Sequence, residues 1–470
     1  MKHRLFILVA LLALLSGMML AFSPAALAQS RSGQVSLACV TPNSTNVLTG
    51  NIGGANYLIE VPSNWNGTLA LYSHGYVFAS PSNPLTPEDA GDPLTEAALL
   101  QQGYALAGSS YSRNGWALQQ AFHDQIALLN FFDKTCGHPS RTIAWGHSLG
   151  GIITAGLVQL NPNRFAGALP MCGVVAGGIG TWNQALDSAF AFNVLLAGNT
   201  LPIVHLTNPT AAYSQAEGIL STAQSTAQGR ARIALAAALA DVPGWFTTGS
   251  PEPTSTDYAS QEANQFAWEF NVDFLFAFFA RAELEARAGG NPSWNTGVNY
   301  RDQLNDSASS KEVRALYQQA GLNLNKDLNT LNAAPRVSAD PGAVRYLNNF
   351  ISFNGDLNIP VLTMHTTGDG LVVNQDEQAY ASVVRSAGDA ILLRQVFVHR
   401  AGHCAFTPAE TVTAFQTLIN RLNSGKWADT TDPGLMNAEA AALPPSLNPA
   451  PPAFISFQPT MFLRPFDARN

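Results

Sequence analysis

The sequence predicts an α/β protein: a mostly parallel, doubly wound sheet with a helical cap inserted after the strand that follows a sharp serine-bearing turn. Three observations predict it. Short apolar runs of β-forming residues alternate with stretches of helical period over residues 57–173, and again over 357–424. Polar or glycine-containing loops follow those runs at 73–78, 108–116, 146–151 and 171–180, at the strand ends where parallel sheets gather their ligand sites. Between the two blocks, residues 178–349 carry mainly helical patterns.

Taken in order, Met1-Lys2-His3-Arg4 and an apolar run from Leu5 to Phe22 lead to Ala26-Leu27-Ala28, a small-residue cleavage pattern. Residues 1–28 therefore read as an export signal, and the mature chain as soluble, with no membrane association once the signal is cleaved. Residues 29–56 are rich in Gly, Asn, Ser and Thr and read as a loose segment tied down near Cys39. Tyr57–Pro62 and Thr68–Ser73 read as strands, the second ending at His74-Gly75-Tyr76. A helix over 94–102, a strand over 104–107 and a helix over 117–133 follow, the last with Ala121, Ile126, Leu129 and Phe132 on one face. Thr142–Trp145 is a strand, Ile152–Leu160 a helix stopped by Asn161-Pro162, and Phe165–Pro170 a further strand ending at Met171-Cys172-Gly173. The first part of the sheet domain thus spans 29–177.

The cap, 178–349, shows helical patterns at 182–197, 211–240, 258–288 and 310–331. Phe266, Phe270, Phe274 and Phe278 recur at steps of four, which suits either packing between helices or a lid face over a pocket. The second part of the sheet domain, 350–424, contains a strand from Ile359 to His365, a helix from Asn374 to Ala387, a strand from Ala390 to Val398 and a helix from Thr411 to Ser424. The Pro- and Ala-rich tail, 425–470, reads as extended, with one added strand near Phe454–Phe457.

Composition narrows the function. Charged residues are 12% of the 470, net charge is −8 and no basic patch occurs, which argues against nucleic acid as a partner. A hydrophobic share of 46% supports a large core rather than disorder. No cluster of ligand-type residues implies a metal or a cofactor. The four cysteines, Cys39, Cys136, Cys172 and Cys404, lack C-x-x-C spacing, so in an oxidising compartment they read as two disulfides with three possible pairings.

The most informative stretch is Thr142 to Gly151, in which a strand runs through Gly146-His147-Ser148-Leu149-Gly150 into a helix. That is the strand–turn–helix context in which a G-x-S-x-G turn exposes a nucleophilic serine. Glycines at 146 and 150 allow strand and helix to approach closely. A serine hydroxyl needs a neighbouring base, and the base an orienting carboxylate. Asp369 follows a later strand between two glycines, and His403 lies in the loop after the last strand. Asp356 lies at the wrong end of its strand. Asp376 reads as a solvated or capping helix residue, His399 as a strand-end residue and His365 as a core or loop histidine. Alone, Gly-Asp-Gly is also an ordinary turn.

On these motifs the chain resembles the α/β-hydrolase fold superfamily, in its secreted bacterial branch, over residues 57–173 and 357–424. The resemblance implies a serine hydrolase with Ser148, Asp369 and His403 as catalytic residues. It also implies an oxyanion hole from the backbone amides of Leu149 and Tyr76, and a cap over the site. Placed on that fold, Cys172 and Cys404 meet at the carboxyl edge of the sheet, which leaves Cys39 to pair with Cys136. A cysteine directly after the histidine also resembles tannase and feruloyl-esterase relatives. Those relatives carry its partner directly before the serine, where this chain has His147.

The expected activity is hydrolysis of a small or oligomeric carboxylic ester through an acyl-enzyme. A peptidase of the same fold is the alternative, for which Glu283 and Glu285 would be candidates to hold a substrate amine, although both read as solvated. A non-catalytic binding protein on the same scaffold is the third reading.

Overall fold

The computed structural model describes residues 39–466, so the predicted export signal lies outside the described residues. The sheet begins where period-two patterning begins. In β2 (Ala55–Val61) every second residue is buried, and β1 (Asn46–Ile52) folds back on it through Gly53 and Gly54, both at positive φ. The described part of the supposedly loose 29–56 segment therefore includes an edge strand that ties it to the sheet. No residue of β1 is fully buried; only Leu48 and Ile52 pack partly against the core, so its sequence carries a weak core signal and the Gly-Gly turn is its main signature.

β3 (Thr68–Ser73) is buried throughout, as expected of a central strand covered on both faces. Next come α1 (Pro93–Gln101), β4 (Ala105–Ser109), α2 (Leu118–Thr135), β5 (Arg141–His147), α3 (Leu149–Leu160) and β6 (Gly167–Met171). The helical region that follows comprises α4 (Gly177–Leu195), α5 (Pro209–Gln224), α6 (Ala227–Ala238), α7 (Tyr258–Trp268), α8 (Arg281–Ala288), α9 (Tyr300–Asp306), α10 (Ser310–Gln319), α11 (Leu324–Ala333) and α12 (Pro341–Asn349). The chain then returns with β7 (Val361–Gly368), α13 (Gln375–Ala387), β8 (Leu393–Ala401), α14 (Pro408–Ser424), α15 (Pro433–Ala441) and β9 (Phe454–Ile455).

The strand order is β1-β2-β4-β3-β5-β6-β7-β8-β9. From β4 to β8 neighbours are parallel, while β1, β2 and β9 attach antiparallel at the edges. Leu128 of α2, Ile153 of α3 and Val384 of α13 are buried on one face of the sheet. Leu99 of α1, Phe415 of α14 and Met436 of α15 are buried on the other. The inserted helices have a core of their own, with Leu186, Phe190, Leu220, Leu235 and Tyr317.

Several helical expectations are divided by local capping. The 211–240 pattern breaks at Ser225-Thr226, where the Thr226 hydroxyl accepts the Gly229 N–H and starts α6. The 310–331 pattern breaks at Gly321, at φ +67°, after which Asn323 caps α11. The tail is not wholly extended, because Asp432 caps α15 ahead of the short β9, which pairs with β8. The 258–288 segment runs on past α7 through two π turns, Glu269–Asp273 and Phe276–Ala280, before α8. Cys39 is bonded to Cys136 and Cys172 to Cys404. No described helix is long and apolar enough to cross a membrane.

Candidate active site

Close packing at the end of β5 sets the turn that holds Ser148. A Cβ on Gly150 would stand 1.8 Å from the Ser73 carbonyl oxygen, and one on Gly146 2.4 Å from the same atom. Only glycine at both positions lets β3, β5 and α3 approach this closely. Ser148 itself sits at φ 59°, ψ −122°, a conformation that costs an L-residue energy and that its surroundings must enforce. Its N–H is held by the Met171 carbonyl at 3.0 Å. Leu149 opens α3, so its N–H has no intrahelical partner.

Across the carboxyl edge of the sheet, β7 and β8 deliver the other two groups. His403 Nε2 lies 2.8 Å from Ser148 Oγ, and His403 Nδ1 lies 2.7 Å from Asp369 Oδ2. Because an ionised carboxylate only accepts, Nδ1 carries the proton and Nε2 is free to accept the serine hydroxyl. The other Asp369 oxygen accepts the N–H groups of Leu371 and Val372, each at 3.1 Å. The structure thus brings together the serine, aspartate and histidine that the sequence singles out. Cys172–Cys404 ties the loop carrying His403 to the end of β6, beside the serine turn.

Asp369 is wholly buried. Burial works to raise its pKa, but the imidazoles of His403 and His365 outweigh it and hold the carboxyl below the usual range. His365 lies directly behind it, with Nε2 3.5 Å from Asp369 Oδ2 and 2.8 Å from the Val372 carbonyl, and Nδ1 3.2 Å from Glu377 Oε1. Burial opposes protonation of His365, yet its bonds to Asp369 and Glu377 push it up to about 10. The core histidine of the sequence reading is therefore an imidazolium between two carboxylates. Glu377, which carries no motif in the sequence, also receives the Thr363 hydroxyl and the Gln395 amide.

His147, next to the serine, differs from His365. Burial drives its pKa down to about 4, so it is neutral, with Nδ1 3.1 Å from the Tyr72 hydroxyl. The His74-Gly75-Tyr76 segment is fixed by the stacking of His74 on Tyr111 at 4.0 Å and by the Tyr111 hydroxyl, which donates to the His74 carbonyl. A Cβ on Gly75 would lie 3.4 Å from Ser148 Cβ, so this backbone runs alongside the serine.

Ser148, Leu149 and Tyr76 open onto a cavity of about 130 Å³. Its walls are mostly apolar and come from both the loops at the sheet's carboxyl edge and the inserted helices, including Trp116, Val174, Trp182, Phe274, Phe276 and Val372. The aromatic stripe is accordingly divided: Phe278 packs inward between helices, whereas Phe274 and Phe276 reach the cavity.

Two expectations about charged residues need correction. Asp376 is neither solvated nor a cap; it is 1% exposed, and its Oδ1 accepts the Ala176 N–H and the Thr181 hydroxyl. The start of α13 packs against the chain entering α4, which buries this position. Glu283 and Glu285 do not face solvent either. Glu283 accepts the Trp116 N–H and pairs with Arg287, and Glu285 accepts the Leu206 N–H, so both hold neighbouring loops in place. His399 faces Trp245 and Glu252, and Asp356 is exposed ahead of β7 beside Asn354.

No family model matches the chain. An o-phthalyl amidase from Xanthobacter agilis is 29% identical over 422 residues, covering 83% of this chain and 89% of that protein. Among solved structures, a serine hydrolase from the polyaromatic-hydrocarbon-degrading bacterium Cycloclasticus zankles covers 81% of this chain and 99% of its own, at 14% identity and a TM-score of 0.36. Feruloyl esterase B from Aspergillus oryzae covers 81% of this chain and 80% of its own, at 14% identity and a TM-score of 0.37. Superpositions this loose carry no part of the fold assignment. By its own strand order, the serine turn between β5 and α3 and the loops after β7 and β8, the chain has the α/β-hydrolase fold.

Proposed function

We propose that the chain is a serine hydrolase that cleaves carboxylic esters through an acyl-enzyme on Ser148. Ser148 Oγ attacks the carbonyl carbon while its proton passes to His403 Nε2. Asp369 keeps the imidazole oriented and stabilises the imidazolium that forms. The amides of Leu149 and Tyr76 hold the negative oxygen of the tetrahedral intermediate. Its collapse expels the alcohol, which takes the proton from His403; a water molecule activated by the same imidazole then releases the acid and restores the hydroxyl.

The observation that carries this reading is the continuous chain of hydrogen bonds, 2.8 Å and 2.7 Å, from Ser148 through His403 to Asp369 at the mouth of a largely apolar cavity. The two disulfides and the absence of a membrane-length helix among the described residues suit an exported protein.

A second reading, hydrolysis of a carboxamide, is favoured by the 29% identity to an amidase over most of both chains. It uses the same steps with an amine as leaving group. The test compares para-nitrophenyl esters with matched para-nitroanilides, in the native protein and in Ser148→Ala. Ester turnover and fluorophosphonate labelling that both vanish in Ser148→Ala are expected. Turnover that survives the substitution refutes the nucleophile, and a preference for the anilide selects the amidase reading.

A further inference from the structure

The cavity beside Ser148 contains a feature that ester hydrolysis does not require. Three carboxyl groups line it: Glu269 and Asp273 from the first π turn, and Asp376 from α13. Each has an oxygen with no hydrogen-bond partner among the described residues, and Asp273 has two. Glu269 is 2% exposed and Asp376 1% exposed. Asp273 is only partly buried as a residue, but both its carboxyl oxygens are shut off from bulk solvent. A buried polar atom without a partner costs free energy, and a buried carboxylate without a counter-charge costs more. Three such groups around one cavity mark a place where something else supplies the partner.

The surroundings say what kind of partner. Among the described residues, no Lys, Arg or His side chain lines the cavity. Arg281, which stacks on Trp182 at 5.1 Å, already donates to Ser293 and to the Trp182 carbonyl. An anionic ligand would therefore find no cation in the lining to receive it, and would lie close to the charge of Asp369. Trp116, Phe274 and Phe276 contribute aromatic rings to the lining, and aromatic rings attract ammonium groups through their faces. The π turns add an independent pointer. Glu269 and Asp273 lie in one turn, which closes with the Phe274 N–H bonded to the Glu269 carbonyl, and such widened turns concentrate at functional sites.

We infer that this cavity takes a substrate bearing a protonated amine, bound by Glu269, Asp273 and Asp376 against the aromatic wall; this deepens the hydrolase reading and rests on it. Before binding, burial and then the charge of Asp369 push the Asp273 carboxyl up to about 8, so it is largely protonated at neutral pH. An incoming ammonium supplies the missing positive charge and draws the carboxyl back to its ionised form. A neutral acyl chain leaves the same oxygens unsatisfied.

The test uses two esters of equal length, para-nitrophenyl ε-aminocaproate and para-nitrophenyl heptanoate, which differ by a terminal ammonium in place of a methyl. The wild-type protein should favour the cationic ester at least about tenfold in kcat/KM, the worth of one charge-assisted hydrogen bond, mainly through KM. Glu269→Gln and Asp273→Asn should each shrink that ratio, with fluorophosphonate labelling of Ser148 reporting that the variants are folded. With wild-type protein alone, hexylammonium should compete with heptanoate ester and hexanoate should not. Equal turnover of the two esters, or hexanoate as the better competitor, overturns the inference while leaving Ser148-dependent hydrolysis intact. Failure to cleave either ester overturns the ester-hydrolase reading and this inference with it, and cleavage that survives Ser148→Ala overturns the nucleophile instead.

Discussion

Replacing His365 with phenylalanine tests whether the buried imidazolium behind Asp369 helps hold the fold and the site together. The ring is fully buried and touches Asp369 on one side and Glu377 on the other. A free histidine titrates near 6.5, and in the fold this one is pushed up to about 10. A group with a raised folded pKa adds stability that is complete below the unfolded value and disappears as pH rises through the folded value. At 1.36 kcal/mol per unit, the histidine is worth on the order of 3 kcal/mol at pH 7.5 and nearly nothing at pH 10. Urea unfolding of the native protein across that window should show this loss. In His365→Phe the contribution is absent, and two buried carboxylates face each other without a cation, a defect of about 3–5 kcal/mol at neutral pH. The two proteins should therefore differ most near pH 7 and converge as pH approaches 10. Equal stability at pH 7.5, or a difference that grows towards pH 10, would refute the imidazolium assignment.

Three further outcomes follow from the same geometry. Asp369→Asn keeps the shape but lets the wrong His403 tautomer form, so kcat should fall by about 10⁴-fold with the fold retained, measured by ester kinetics beside a thermal melt. Gly150→Ala puts a methyl 1.8 Å from the Ser73 carbonyl, and loss of at least about 3 kcal/mol of stability is expected; a soluble variant with normal activity and melting would contradict the packing argument. Glu60, Asp89 and Glu96 bring carboxyl oxygens within 4.8 Å of one another, and burial, then Glu60 and Glu96, push Asp89 up to about 8. Charging Asp89 destabilises the fold as pH rises from about 4 to 8, so Asp89→Asn in EDTA-containing buffer should gain at least about 1 kcal/mol at pH 8.5 and little at pH 4, by denaturant titration.

The site is legible in the sequence wherever a local constraint sets it. Ser148 stands out because Gly146 and Gly150 are required within a few residues of it. Asp369 and His403 stand out because each follows a strand and has a glycine immediately before it. His365 and Glu377 gave no such signal. A histidine inside an apolar strand looks like packing, and its charge arises only when β7 and α13 place two carboxylates against it. The edge strand β1 is hard to read from sequence for a related reason. It buries no residue of its own, and its pairing is with a partner that sequence pattern alone does not select.

Glu269 and Asp273 show where pattern reading misleads. They lie four residues apart in a helix otherwise dominated by phenylalanine, and of the Phe266, Phe270, Phe274, Phe278 stripe only Phe274 lines the cavity. On a helix, Glu269, Asp273, Phe276 and Ala277 also share one face, and that face lines the cavity. The useful signal was thus the pair of acids interrupting an aromatic surface rather than the surface itself. Acids so placed are expensive when buried and ordinary when exposed, and only burial makes them informative. Burial of that face depends on the inserted helices meeting the edge of the sheet beside Ser148, a contact between segments distant in sequence. Helix periodicity describes each face but not which one the rest of the chain will cover.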